Sequence, residues 1–72
     1  MYYHLEKFAS SWLSTGLILQ GSFHDLCDIV ERARLKYGCD FRCKPVTEQQ
    51  MLTLRTNGMK LVERDEEICL EA

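Results

Sequence analysis

The first part of the chain has apolar residues at the spacing of a helix. They recur at intervals of three or four positions: Tyr2, Leu5, Phe8, Ala9 and Trp12. This spacing predicts an amphipathic helix of about four turns, ended by Gly16. The short apolar run from Leu17 to Gln20, closed by Gly21, predicts a strand.

A second and longer helical pattern follows. Its apolar stripe comprises Phe23, Leu26, Cys27, Val30, Ala33 and Tyr37. Ser22 is a favoured N-cap residue, and the carboxylate of Asp25 suits the positive end of the helix dipole. Gly38 is a suitable residue for ending the helix. The pattern predicts a helix from Ser22 to Gly38. The whole apolar stripe, including Phe23 and Cys27, is expected to face the core.

Residues 39–46 alternate between apolar and polar positions, which predicts a half-buried strand. Pro45 cannot donate a backbone hydrogen bond, so we expect this strand at a sheet edge. Thr47 and Gln50 have the spacing of a capping box and predict a short helix from Glu48 that ends at residues 57–58.

The last residues predict two strands, at 59–62 and 67–70, around the acidic turn at 63–66. The predicted order is therefore α-β-α-β-α-β-β, in one domain spanning residues 1–72. The fold class is α+β, with helices packed on a small mixed sheet. The order of strands within the sheet does not follow from these patterns.

Length and composition bear on the oligomeric state and the cellular location of the protein. A chain of 72 residues buries only about 60% of its unfolded surface, so we expect a homodimer to support the small core. The longest apolar runs are far shorter than the ~18 residues of a membrane span, and the first residues lack the features of a secretory signal. We therefore expect a cytoplasmic protein with reduced cysteines and no contact with a membrane.

Three cysteines and a histidine raise the alternative of a zinc site formed by His24, Cys27, Cys39 and Cys43. The predicted strand argues against it. Two residues four apart on a strand have Cα atoms about 13 Å apart, at ~3.3 Å per residue, too far for Cys39 and Cys43 to share one ion. The main expectation is a protein without a cofactor, and zinc is the alternative.

Nothing in the sequence combines a nucleophile, a base and an orienting group, as catalysis requires. Cys27 and His24 are neighbours on the long helix, but the apolar stripe places Cys27 in the core, where a thiol is inert. We therefore expect a protein that is not an enzyme.

Basic residues cluster between positions 32 and 44: Arg32, Arg34, Lys36, Arg42 and Lys44. Such a patch could contact phosphates, which makes a nucleic-acid-binding regulator an alternative function. The net charge of −2 and the pI of about 5.6 argue against it, since nucleic-acid-binding domains are usually basic.

The expectation that remains is a small protein-binding module that acts as a regulator, adaptor or inhibitor, of the kind that bacteria and phages encode. Aromatic residues near an exposed terminus and a leucine on the polar side of the long helix are the candidate contacts: Tyr2, Tyr3, Trp12 and Leu35. The expected partner is another protein.

Overall fold

The computed structural model describes residues 1–62 as two helices and a four-stranded mixed sheet. The elements are β1 (Tyr2–Phe8), β2 (Trp12–Gln20), α1 (Phe23–Tyr37), β3 (Phe41–Val46), α2 (Glu48–Thr56) and β4 (Lys60–Val62). The α+β class is confirmed. The predicted turn at 63–66 and strand at 67–70 lie outside the described residues.

The strands lie side by side in the order β3-β1-β2-β4. β1 is antiparallel to both of its neighbours, and β2 and β4 are parallel. Within the part of the chain that the structure describes, β3 and β4 form the two edges of the sheet. The sheet edge predicted from Pro45 is therefore observed.

The predicted first helix is wrong, since residues 2–8 form β1 and the described order is β-β-α-β-α-β. Tyr3 and Leu5 are buried on one side of β1, and His4 between them faces the other side. This alternation has the period of a strand. Long-range pairing with β2 and β3 decides the conformation, because it satisfies the backbone of β1 along its length.

Gly16, which was expected to end a helix, lies inside β2 at an irregularity of the pairing. Leu5 pairs with Leu17, but the next residue of β1, Glu6, pairs with Ser14. Gly16 has a φ of 76°, which a glycine adopts without strain. The hydroxyl of Thr15 donates to the carbonyl of Leu5 at 2.8 Å and ties the irregular segment to β1. The strand predicted at 17–20 is thus the second half of a longer one.

The long helix is confirmed, with its caps. The Ser22 hydroxyl accepts from the Asp25 amide at 3.2 Å, and Gly38 is left-handed, with its N–H donating to the Arg34 carbonyl at 2.8 Å. The predicted stripe is wrong at one end. Phe23 and Cys27 are exposed, and the buried residues are Leu26, Ile29, Val30 and Ala33. The helix is rotated so that Ile29 takes part in the core.

The main core lies between α1 and one face of the sheet. Its buried residues are Tyr3, Leu5, Leu17, Leu19, Leu26, Ile29, Val30, Ala33, Phe41 and Val62. Tyr37, Cys39 and Cys43 pack against this cluster and are partly buried. Every strand contributes, so the cluster joins the whole described sheet to α1.

The second face of the sheet has its own buried residues. Ile18 lies between Leu17 and Leu19 of the main core and therefore points to the opposite face. Ile18 is completely buried, and Met51 in α2 is almost completely buried. Neither residue belongs to the main cluster. The connections β2-α1-β3 and β3-α2-β4 cross the sheet in opposite directions. If both are right-handed, their helices lie on opposite faces, which fits the burial of Ile18 and Met51.

The short helix α2 begins as predicted. Thr47 and Gln50 form a complete capping box, with the Thr47 hydroxyl accepting from the Gln50 amide and the Gln50 side chain accepting from the Thr47 amide. Neither helix in residues 1–62 is long and apolar enough to cross a membrane.

Candidate functional site

An open groove of about 320 Å³ runs between α1 and the outer side of β3. Its apolar floor is formed by core residues, and charged side chains border it. The lining residues are Tyr3, Phe23, Leu26, Cys27, Val30, Glu31, Arg34, Phe41, Arg42 and Cys43. The groove combines a helix flank with a sheet edge.

One wall of the groove is a flank of α1. Phe23 is the first residue of the helix, and Cys27 follows one turn later on the same side. The Ser22 cap fixes where the helix begins and therefore where Phe23 projects. Phe23 is 71% exposed, and the buried Leu26 and Val30 line the same groove. This leaves an aromatic surface that a partner could cover.

The other wall is the outer edge of β3. The Phe8 amide donates to the Asp40 carbonyl at 2.8 Å, so Asp40 directs its backbone toward β1. Because backbone direction alternates along a strand, Phe41, Cys43 and Pro45 direct theirs away from β1. The Arg34 guanidinium donates to the Phe41 carbonyl at 3.1 Å, which agrees with this direction. Cys43 then presents its backbone N–H and C=O on the open side.

Charged residues surround this edge. Arg34 lies 3.6 Å from a carboxylate oxygen of Glu31. On the sheet face opposite α1, Arg42 Nε donates to Glu6 at 2.8 Å, and Lys44 Nζ lies 4.0 Å from the same oxygen. Two cations of β3 thus share one carboxylate, so this face of the edge is net positive.

The surroundings of Glu6 and Cys43 shift the pKa values of both groups, in opposite directions. The hydrogen bond from Arg42 lowers the pKa of Glu6 below its ordinary value of 4.5, assisted by the charges of Arg42, Lys44 and His4 and opposed by desolvation. Burial raises the pKa of the Cys43 thiol to about 11, and proximity to Cys27 contributes to the rise. Cys43 is a neutral thiol at physiological pH.

The structure does not bring together the four residues of the alternative zinc site. Cys27 and Cys43 line the groove, whereas Cys39 lines a separate depression and His24 lines neither. Among residues 1–62 no group of three or more potential ligands could hold a metal ion. The predicted strand at 39–46 begins only at Phe41, so Cys39 lies before β3 rather than within it, and Cys39 and Cys43 line different depressions.

The thiols also differ from their predicted environment. Cys27 is exposed, so its expected place in the core is wrong. Cys43 is half-buried against the core cluster. The described cysteines, Cys27, Cys39 and Cys43, are all free thiols.

The five predicted phosphate-binding residues point in three directions. Arg34 lies on the groove flank of α1, where it contacts β3. At about 100° per residue, Arg32 and Lys36 lie on the far flank of the helix. Arg42 and Lys44 alternate with the core residue Phe41 and therefore occupy the sheet face opposite α1. The basic stretch in the sequence is not one surface.

The predicted protein-contact residues are also dispersed. Tyr3 is only 7% exposed and is part of the core, although it also lines the groove. Tyr2 alternates with it and faces the opposite side of the sheet, where the Trp12 ring also lies, under Arg42. Leu35 is 80% exposed on the solvent side of α1.

The sequence analysis missed two features of the groove. They are the exposed side chain of Phe23, which the stripe assigned to the core, and the open backbone of Cys43. The sheet edge predicted from Pro45 was the sequence signal for the open backbone of Cys43. Nothing in the sequence places α1 beside that edge.

Comparison with known proteins gives no assignment. No family model matches the chain, and no curated protein or solved structure matches it. The geometry of the groove and of the sheet is therefore the basis for a functional proposal.

Proposed function

We propose that this protein is a non-enzymatic protein-binding module that binds its partner in the groove between α1 and β3. The observation that carries the proposal is the position of Phe23, an exposed ring beside an apolar groove. Aromatic residues next to well-packed pockets contribute much of the binding energy at protein interfaces.

The chemistry of the groove supports binding over catalysis. A catalytic cysteine needs a lowered pKa, so that the thiolate is present at neutral pH. Burial raises the pKa of Cys43 to about 11, which is the opposite shift. The remaining polar groups at the groove are engaged with one another, as in the contacts of Arg34 with Glu31 and Phe41.

Binding alone would allow such a module to act as a regulator, adaptor or inhibitor, by covering or recruiting a surface of its partner. We place this activity in the cytoplasm, where the free thiols of the groove would stay reduced. The homodimer expected from the small size of the chain remains a prediction.

A comparison of two surface variants tests the proposal. Wild-type protein, Phe23→Ser and Leu35→Ser are immobilised, and bound proteins from a lysate of the source cells are quantified by mass spectrometry. Both changes remove an exposed apolar side chain from α1, but only Phe23 borders the groove. We expect specific partners to be lost with Phe23→Ser and kept with Leu35→Ser.

The opposite pattern would contradict the proposal. If Leu35→Ser abolishes capture and Phe23→Ser does not, the solvent side of α1 is the binding surface. If neither variant changes a partner's recovery, the helix is not part of the interface.

A second candidate function, nucleic-acid binding, has one observation in its favour. The Arg42 guanidinium lies over the Trp12 ring, Phe8 packs edge-on against that ring, and Lys44 lies on the same sheet face. Rings and cations on one sheet face are typical of surfaces that bind single strands. Glu6 between the cations opposes phosphate binding.

Fluorescence anisotropy with labelled single-stranded DNA and RNA separates the two candidates. Nucleic-acid binding predicts an affinity that falls steeply between about 50 and 200 mM salt and that Lys44→Glu weakens. Protein binding through the groove predicts no salt-sensitive binding by either wild type or variant.

A further inference from the structure

We propose that the outer edge of β3 binds an extended peptide of alternating acidic and apolar residues, which adds to the sheet as a strand. This inference rests on the proposed function and names the chemistry of the partner. It combines the open backbone of β3, the apolar groove on one side of the edge and the cations on the other.

The backbone of β3 supplies the first requirement. Cys43 presents its N–H and C=O on the side away from β1, and no described strand lies there. Unpaired groups of this kind are a template for an added strand. Pro45 removes one donor at the end of the edge, and Arg34 already binds the Phe41 carbonyl. The short stretch centred on Cys43 is therefore where pairing would occur.

The side chains of β3 define which residues would fit. In an added strand, a residue directly opposite another lies on the same face of the sheet. Residues opposite Phe41 and Cys43 would enter the groove beside Phe23, so they should be apolar. Residues opposite Arg42 and Lys44 would lie on the other face, beside two cations that share the single carboxylate of Glu6. These residues should be acidic.

The same charges disfavour a second copy of this chain at the edge. Antiparallel pairing of two β3 strands about Cys43 would place Arg42 of each copy opposite Lys44 of the other. Like charges directly opposite on a sheet are destabilising. The edge therefore selects a partner with a complementary sequence over self-pairing.

Three capped synthetic peptides test this directly against the full-length protein labelled with ¹⁵N. The first is Glu-Val-Glu-Leu-Glu-Val-Glu, and the second has lysine at every glutamate position. The third is the acidic peptide with alternate backbone amides methylated, so that it cannot pair as a strand. Binding is followed by the amide resonances of the protein and by calorimetry.

We expect the acidic peptide to bind and to shift the amides of Phe23, Cys27 and Cys43. The lysine and methylated peptides should bind at least tenfold more weakly. Phe23→Ser should weaken binding of the acidic peptide, and Lys44→Glu should weaken it and strengthen binding of the lysine peptide. Both substituted side chains are exposed, so the variants should fold.

Several results would overturn the inference: no binding at millimolar peptide, equal binding of the methylated peptide, or the largest shifts away from α1 and β3. A wild-type dimer with protected β3 amides would assign the edge to a second copy. Residues 67–71, Glu-Ile-Cys-Leu-Glu, carry Ile68 and Leu70 at alternate positions between two glutamates. If Ile68→Lys with Leu70→Lys in the full chain raises peptide affinity tenfold, this segment is the occupant and no separate partner is needed.

The inference and the proposed function fail separately. If Phe23→Ser abolishes capture of a natural partner but the acidic peptide does not bind, the groove is a protein-binding site that does not use strand addition. If the peptide binds but partner capture does not depend on Phe23, the edge binds peptides and the proposed function is wrong.

Discussion

The guanidinium carbon of Arg42 lies 4.4 Å from the centroid of the Trp12 ring. The same side chain donates from Nε to Glu6 at 2.8 Å. Since Trp12, Glu6 and Arg42 belong to β2, β1 and β3, these contacts connect three adjacent strands. They fix the Arg42 side chain of the edge strand β3 to the two central strands of the described sheet.

A double-mutant cycle with Trp12→Leu and Arg42→Leu measures this connection. We expect a coupling free energy of about 0.5–1 kcal/mol, because the pair is partly exposed and a cation–π contact of that kind has this magnitude. Urea unfolding of the four proteins gives the value. Additive effects would mean that the ring and the guanidinium do not stabilise each other in solution.

Acid should weaken the Glu6–Arg42 pair. The pKa of Glu6 is lowered in the folded protein, so its contribution to stability is present above the unfolded value of 4.5 and is lost as the pH falls through the folded value. Thermal unfolding of wild type and Glu6→Gln between pH 6 and pH 3 checks this. The wild type should lose its advantage over the variant on acidification, and a constant difference across this range would contradict the assignment.

Ile18, buried on the sheet face opposite α1, should contribute to stability separately from the main core. Ile18 is completely buried although it lies outside the α1 core. Ile18→Val should destabilise by about 0.5–1.5 kcal/mol, because it removes a buried methylene group. Leu35→Ala, at an exposed position, should change stability by less than about 0.5 kcal/mol. Equal effects in urea unfolding would mean that the Ile18 side chain is not buried in solution.

Thiol alkylation distinguishes the two cysteines of the groove. With a pKa of about 11, Cys43 is a thiolate in only about one molecule in a thousand at pH 8, and it is half-buried. Cys27 is exposed. Iodoacetamide at pH 8, followed by peptide mass mapping, should modify Cys27 well before Cys43. Preferential labelling of Cys43 would show that its thiol is neither covered nor held neutral.

The sequence predicted those parts of the fold that depend on local interactions. The caps at Ser22, Gly38 and Thr47 act within a few residues, so both helices followed from their own sequences. Pro45 indicated a sheet edge because it lacks a donor. These features account for α1, α2 and the edge position of β3.

The remaining features depend on tertiary contacts. The apolar residues of β1 have helical spacing, and only pairing with β2 and β3 makes this segment a strand. The rotation of α1, which buries Ile29 and exposes Phe23, is decided by how the helix meets the sheet. The groove exists because α1 lies beside β3, and neither element's pattern contains that relationship. The candidate site could therefore not be predicted from the sequence patterns.

The most direct measurement is an amide chemical-shift map of the ¹⁵N-labelled protein in complex with a partner whose capture survives Leu35→Ser. If the proposed function is correct, the largest changes fall on Phe23, Cys27 and Cys43, on the two sides of the groove. Changes confined to the sheet face around Trp12, or to the solvent side of α1 around Leu35, would contradict it.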